Sequence, residues 1–366
     1  MKIYLKPIIA VALALTFAGS AIATDTSTPS EMPAEAPAAT PDSTARTHTD
    51  LLNFKVYARV DYQHEWEKGH TDDSNSGFEG KYLMFRADGE IIPGLTYSWR
   101  QRLNKDVVDG NFFDATDWIY LDYAYRGFNV AAGKQIVAVG GWEYDSFPLD
   151  LYSTSLMWEN LLPFSLGVSG GYRFSERDYL QAQVVQSPFH TKDNRNMYAY
   201  SLRWFGKHGC WSTIWSANLM EYAKNKYISY IALGNKVDVD NVSLAVDFVN
   251  RAAAHQTFLF KDVSVIATLG WKPTPAWRVH AKYTYDVNRT NTAADLTVLP
   301  GTELNMIGGG LEYFPLLKNR YSLRLHGNCY YSWGTNKNAA NVMQDGSTML
   351  DFGVTWTMDV FSVKHK

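Results

Sequence analysis

Residues 277–286, WRVHAKYTYD, decide the fold. Trp277, Val279, Ala281, Tyr283 and Tyr285 fall on one face of an extended chain, and Arg278, His280, Lys282, Thr284 and Asp286 on the other. Strand side chains alternate sides with a period of two, so one face asks for hydrocarbon and the other for water and charge. Working outward, the same alternation fills 53–66, 78–89, 95–103, 117–126, 128–135, 164–174, 178–187, 196–206, 211–221, 227–237, 241–250, 261–272, 303–314, 320–333 and 348–361. No helical period intervenes. Sixteen such segments predict an all-β chain: a 16-stranded antiparallel up-and-down transmembrane β-barrel with a wet interior.

The connections agree. Long ones (67–77, 104–116, 136–163, 188–195, 251–260, 287–302 and 334–347) alternate with short ones, and only 222–226 breaks the rule. The short ones carry turn residues, such as Ile-Pro-Gly at 92–94 and Lys-Pro-Thr-Pro at 272–275. A meander with its long loops at one end matches outer-membrane barrels, long loops outside and short turns in the periplasm.

The N-terminus predicts export. Lys2 and Lys6 precede an apolar run from Pro7 to Ala18, then small residues ending Ala21-Ile22-Ala23. That is the form of a secretory signal peptide over residues 1–23, too short for a spanning helix. Residues 24–49, rich in Thr, Ala, Pro and Ser, read as a disordered periplasmic linker. Residues 50–366 form the pore domain, placed in the outer membrane of a Gram-negative bacterium and surrounded by its lipid.

Hydrophobic residues reach 46% and aromatic residues 14%, yet the mean hydropathy is below zero. A helical membrane protein would score far higher, whereas half of every barrel strand is polar. Twelve Trp and 23 Tyr suit aromatic girdles at two membrane interfaces. The charge is −3, or −5 without Lys2 and Lys6, which excludes a globally basic nucleic-acid binder. Nine His and two Cys show no metal-ligand spacing, and no cofactor motif is present. Cys210 falls in a turn and Cys329 on a lipid-facing position, so no disulfide is expected.

Ten cations share the polar face: Arg59, Arg86, Arg100, Arg102, Arg126, Arg173, Arg203, Arg278, Lys282 and Arg324. A lipid-facing Arg near the midplane costs about 2–4 kcal/mol, so these side chains point into the bore. Asp61, Asp88, Asp122, Asp247, Asp286, Glu312 and Asp351 lie on the same faces. Rings of Arg and Lys favour anions, and pairing with those acids is the structural alternative. The connection 136–163 is the longest, and it is apolar, aromatic and acidic. Folded inward, it would present Glu143, Asp145, Asp150 and Glu159 to the lumen and pack Trp142, Phe147 and Trp158 on the wall. A lid over the mouth is the other arrangement open to it.

Gly167-Val168-Ser169-Gly170-Gly171 matches G-x-S-x-G literally, but Tyr172-Arg173-Phe174 continues a strand where a nucleophile elbow needs a helix. The sequence therefore points to a passive channel for small hydrophilic solutes and not to an enzyme. An outer-membrane hydrolase and a structural or adhesion barrel with a closed lumen are the alternatives.

The stretch Ala132-Gly133-Lys134-Gln135, continued through the long loop to Trp158-Glu159-Asn160 and Phe164…Gly167-Val168, resembles the phosphate-selective porin O/P family. The resemblance is specific around residues 128–174. It implies a 16-stranded barrel, a homotrimer, and diffusion of anions such as phosphate. The family's Pro-Phe-Gly step is replaced here by Ala138-Val139-Gly140, and acids dilute the basic ladder. A mild anion preference is the expectation that follows.

Overall fold

The computed structural model describes residues 50–105, 112–338 and 344–365. The expected signal peptide and linker lie outside the described residues.

Sixteen long strands run in chain order: β1 (Asp50–Glu67), β2 (Gly77–Ile92), β3 (Leu95–Arg102), β4 (Thr116–Tyr125), β5 (Phe128–Ile136), β6 (Phe164–Arg173), β7 (Asp178–Gln186) and β8 (Tyr198–His208). The second half comprises β9 (Trp211–Ala223), β10 (Lys226–Val239), β11 (Val242–Ala253), β12 (Asp262–Thr274), β13 (Trp277–Asn288), β14 (Glu303–Tyr313), β15 (Leu323–Thr335) and β16 (Ser347–Lys364). A two-residue strand, His70–Thr71, decorates the first loop by pairing with the end of β1. Each long strand pairs antiparallel with the next, and β16 pairs with β1, so the sheet closes and has no edge. The strand reading from sequence holds throughout, within a few residues at each end.

Turn chemistry sits where the pattern requires it. Pro93-Gly94 joins β2 to β3 with Gly94 at φ 83°, and Asp240 turns β10 into β11 at φ 48°. One placement differs from expectation. Arg126 lies in the exposed β4–β5 turn at φ 47°, over the Tyr125 ring, and not on a strand face. The Arg126-Gly127 pair makes that turn because both positions require positive φ, which ends the strand one residue early.

Burial is inverted relative to a protein dissolved in water. On β8, Tyr198, Tyr200 and Leu202 are 42–48% exposed, while Ala199, Ser201 and Arg203 between them are at most 7% exposed. The same alternation leaves Leu166, Val168, Ile307 and Leu311 facing out on β6 and β14. A continuous apolar exterior of this extent belongs in hydrocarbon. Both cysteines are free and exposed.

Candidate functional site: the inward face and the third loop

Residues 137–163 connect β5 to β6 and touch inward side chains on most of the wall. A buried backbone needs partners for its N–H and C=O groups, and the strands supply them. Ala138 N donates to Gln183 Oε1 and Gly140 N to Ser216 Oγ, each at 2.7 Å, and Asn218 Nδ2 donates to Ala138 O at 2.7 Å. Asp247 accepts from the N–H groups of Trp142 and Glu143, both at 2.8 Å. A Cβ on Gly234 of β10 would stand 2.8 Å from Gly141 Cα, so only glycine lets the loop pass so close to the wall.

Further along, a short 3₁₀ turn (Pro148–Asp150) is held from two strands. Arg59 Nη1 donates to Leu151 O and Arg324 Nη2 to Leu149 O, each at 2.7 Å. Arg324 also pairs with Asp150 and, at 3.3 Å, with Glu312. Tyr152 Oη donates to Glu312 Oε1 at 2.6 Å. A one-turn helix, Leu156–Glu159, is capped by Ser155, whose Oγ accepts from Trp158 N at 3.2 Å. Asn160 Nδ2 donates to Tyr230 Oη at 3.0 Å.

The four loop acids part company. Glu143 and Asp145 are buried and paired, Glu143 with Lys282 and Asp145 with Arg203 at 3.5 Å. Burial pushes the Asp145 carboxyl up to about 6, with Arg203 opposing the rise. Asp150 and Glu159 stay exposed. Trp142 packs against Tyr179, Phe205 and Ile214, and Phe147 against Tyr57, Met84 and Leu149.

Five of the ten sequence-predicted cations, Arg59, Arg100, Arg203, Lys282 and Arg324, are buried. Arg59 binds Asp61 at 2.7 Å and Arg100 binds Asp117 at 2.7 Å while stacking on Trp118 at 3.7 Å. Arg86 is the register partner of Arg100 and pairs with Asp88 at 2.6 Å, and Arg278 reaches Glu312 at 3.3 Å. Arg102 and Arg173 differ from these. Among the described residues neither has a carboxylate within ion-pair distance, and each is partly exposed and packs beside a tyrosine, Tyr82 and Tyr179 respectively. Arg251 is a further inward cation, fully buried between Asp262 at 2.7 Å and Asp295 at 3.3 Å. The parity of Asp247 predicts its direction, but Arg251 lies one residue beyond the strand expected from sequence at 241–250, and the structure extends that strand to Ala253.

A closed sixteen-stranded barrel, apolar outside and charged inside, defines an outer-membrane channel of the porin class. Residues 54–209 match the family model described as Phosphate-selective porin O and P, which supports the resemblance read from residues 128–174. The match is to a family of channels. Solved structures share the fold at low identity. OmpT of Vibrio cholerae, in a structure described as its trimer form, is 13% identical with a TM-score of 0.58, over 84% of this chain and 100% of that one. An anion-selective porin from Comamonas acidovorans is 11% identical with a TM-score of 0.57, over 84% and 99%. The outer membrane channel DcaP of Acinetobacter baumannii is 11% identical with a TM-score of 0.59, over 84% and 97%. No curated protein matches the chain significantly.

Proposed function

We propose that this porin passes small hydrophilic solutes by passive diffusion with a mild preference for anions such as phosphate. In this reading the segment 137–163 is folded into the bore as its constriction, and the inward cations set the sign of the preference. The observation that carries it is the pair Arg102 and Arg173, two inward cations without a carboxylate partner among the described residues. A guanidinium already held by an acid attracts a passing anion weakly, whereas an unpaired one in a narrow path offers its full charge and a planar set of donors. The Comamonas porin, called anion-selective, supports the same direction. Assembly as a homotrimer and removal of residues 1–23 on export belong to the same proposal, the first supported by the trimer form of OmpT.

Planar-bilayer recording in a potassium chloride gradient tests the reading. A reversal potential on the chloride side is expected. A potential on the potassium side rejects the anion preference, and the absence of conductance steps rejects the channel.

The burial of Arg59, Arg100 and Arg203 favours a second reading, a barrel whose lumen is closed and whose role is structural or adhesive. Liposome swelling in small sugars separates the two, since a closed barrel gives none.

A further inference from the structure

The strands that close the barrel bring two inward acids and a histidine together. Asp61 of β1 is the register partner of Gly353 of β16, and Gly353 is the partner of His326 of β15. Asp351 lies two positions before Gly353, hence on the same face. His326 Nε2 stands 3.2 Å from Asp61 Oδ1 and 3.1 Å from Asp351 Oδ1. Both acids and the imidazole are buried.

Three observations mark this cluster as a built site. The His326 nitrogens make no aligned hydrogen bond, and a ring nitrogen carries one hydrogen at most, so it cannot serve two carboxylates at once. Gly353 leaves a cradle: a Cβ there would stand 2.3 Å from Asp61 Oδ1 and 2.7 Å from His326 Cε1. The carboxylate and the imidazole lean into space that any other residue would fill. The charges are also uneven. Arg59 grips Asp61 through Nε at 3.0 Å and Nη2 at 2.7 Å, offsetting one of two negative charges. Asn328 Nδ2, 2.7 Å from Asp351 Oδ1, orients the second carboxylate, whose Oδ2 lies 3.8 Å from the same Arg59 Nη2, so a single guanidinium faces two acids and one negative charge is left over.

We propose that Asp61, His326 and Asp351 form a binding site for a late first-row dication, zinc foremost. Zinc takes imidazole nitrogen and carboxylate oxygen at about 2.0–2.2 Å in tetrahedral geometry, which sets its ligand atoms roughly 3.2–3.6 Å apart. The two contacts to His326 are already close to that spacing. An imidazole donor favours zinc, copper, nickel or cobalt over magnesium and calcium. Water fills the fourth position. The Tyr152 ring, 4.5 Å from the His326 ring, covers the site from the third loop. The three ligands come from the first strand and the last two, so the ion ties the closure of the barrel together.

The test uses the full-length protein, folded in detergent, stripped with chelator and titrated with zinc alone. One zinc per chain is expected, with excess magnesium failing to displace it. His326→Ala and the isosteric Asp351→Asn each weaken binding by at least about tenfold, and Gly353→Ala weakens it by filling the cradle. Cobalt in place of zinc gives the visible absorption of four-coordinate metal, which His326→Gln abolishes. Heat-modifiable gel mobility reports that each barrel is folded. Zinc affinity unchanged in His326→Ala or Asp351→Asn overturns the proposal. So does the absence of zinc binding by the wild type, or a six-coordinate cobalt spectrum.

Discussion

The inner wall has two halves that hold the third loop by different physics. On β7 to β11 the inward positions Val185, Ala199, Met220, Ile228, Tyr230, Ala232 and Val249 are apolar. They pack Val137, Val139, Met157 and Leu161 of the loop into a dry cluster. On β1 and β13 to β15 the inward positions are Arg59, Lys282, Glu312 and Arg324, and the loop meets them through carbonyls, acids and the Tyr152 hydroxyl. The first half resembles the core of a soluble domain, where contact is non-directional and scales with area. The second is a set of aimed bonds, each costly to leave half made. One loop therefore has an anchor on one side and a latch on the other.

Breaking the anchor has the largest expected effect. Ile228→Asp puts an unpaired carboxylate into the dry cluster and should cost roughly 3–5 kcal/mol, read as a lower urea midpoint for the barrel in detergent. Releasing the latch comes next. Arg324→Ala removes the bonds to Leu149 O and Asp150 and should cost about 2–3 kcal/mol. Single-channel current should become larger or noisier while the urea midpoint falls less than in Ile228→Asp. Arg102→Ala with Arg173→Ala touches neither half's grip on the loop, so stability should change by about 0.5 kcal/mol or less. The reversal potential should nonetheless move toward potassium, and an unmoved potential removes both residues from selectivity.

The smallest effect is a pH step. The Asp145 carboxyl, lifted by burial to about 6, becomes neutral as pH falls from 7 to 5. Arg203 then loses its counter-charge, and anion preference should rise, a step that Asp145→Asn removes. In the unfolded chain the same carboxyl ionises at lower pH. Its contribution to stability therefore falls as pH climbs toward 6, and acid restores it.

The barrel was legible because lipid and water impose opposite demands on alternate residues, and WRVHAKYTYD satisfies both. The dry half of the wall was not. Residues 228–233, Ile-Ser-Tyr-Ile-Ala-Leu, are apolar on both parities but for Ser229. A strand apolar on both faces is a strand covered on both faces, and that signal pointed to a loop packed against β10. Glu143 and Asp145 are buried against the inward cations Lys282 and Arg203, a pairing the sequence pattern does not reveal, since only folding shows which acid meets which base. Asp61, His326 and Asp351 show no ligand spacing in the sequence because their proximity comes from closing the sheet and not from nearness along the chain.

Joining β1 to β16 has one more consequence. These two strands are eighteen residues each and pair along almost their whole length, although they stand at opposite ends of the sheet's chain order. A nascent polypeptide ending before Ser347 would hold fifteen rungs and two bare, sticky borders, with no shorter circle available to it. Premature termination in the last twentieth of the message should therefore yield aggregates for the periplasmic proteases and not a narrower pore.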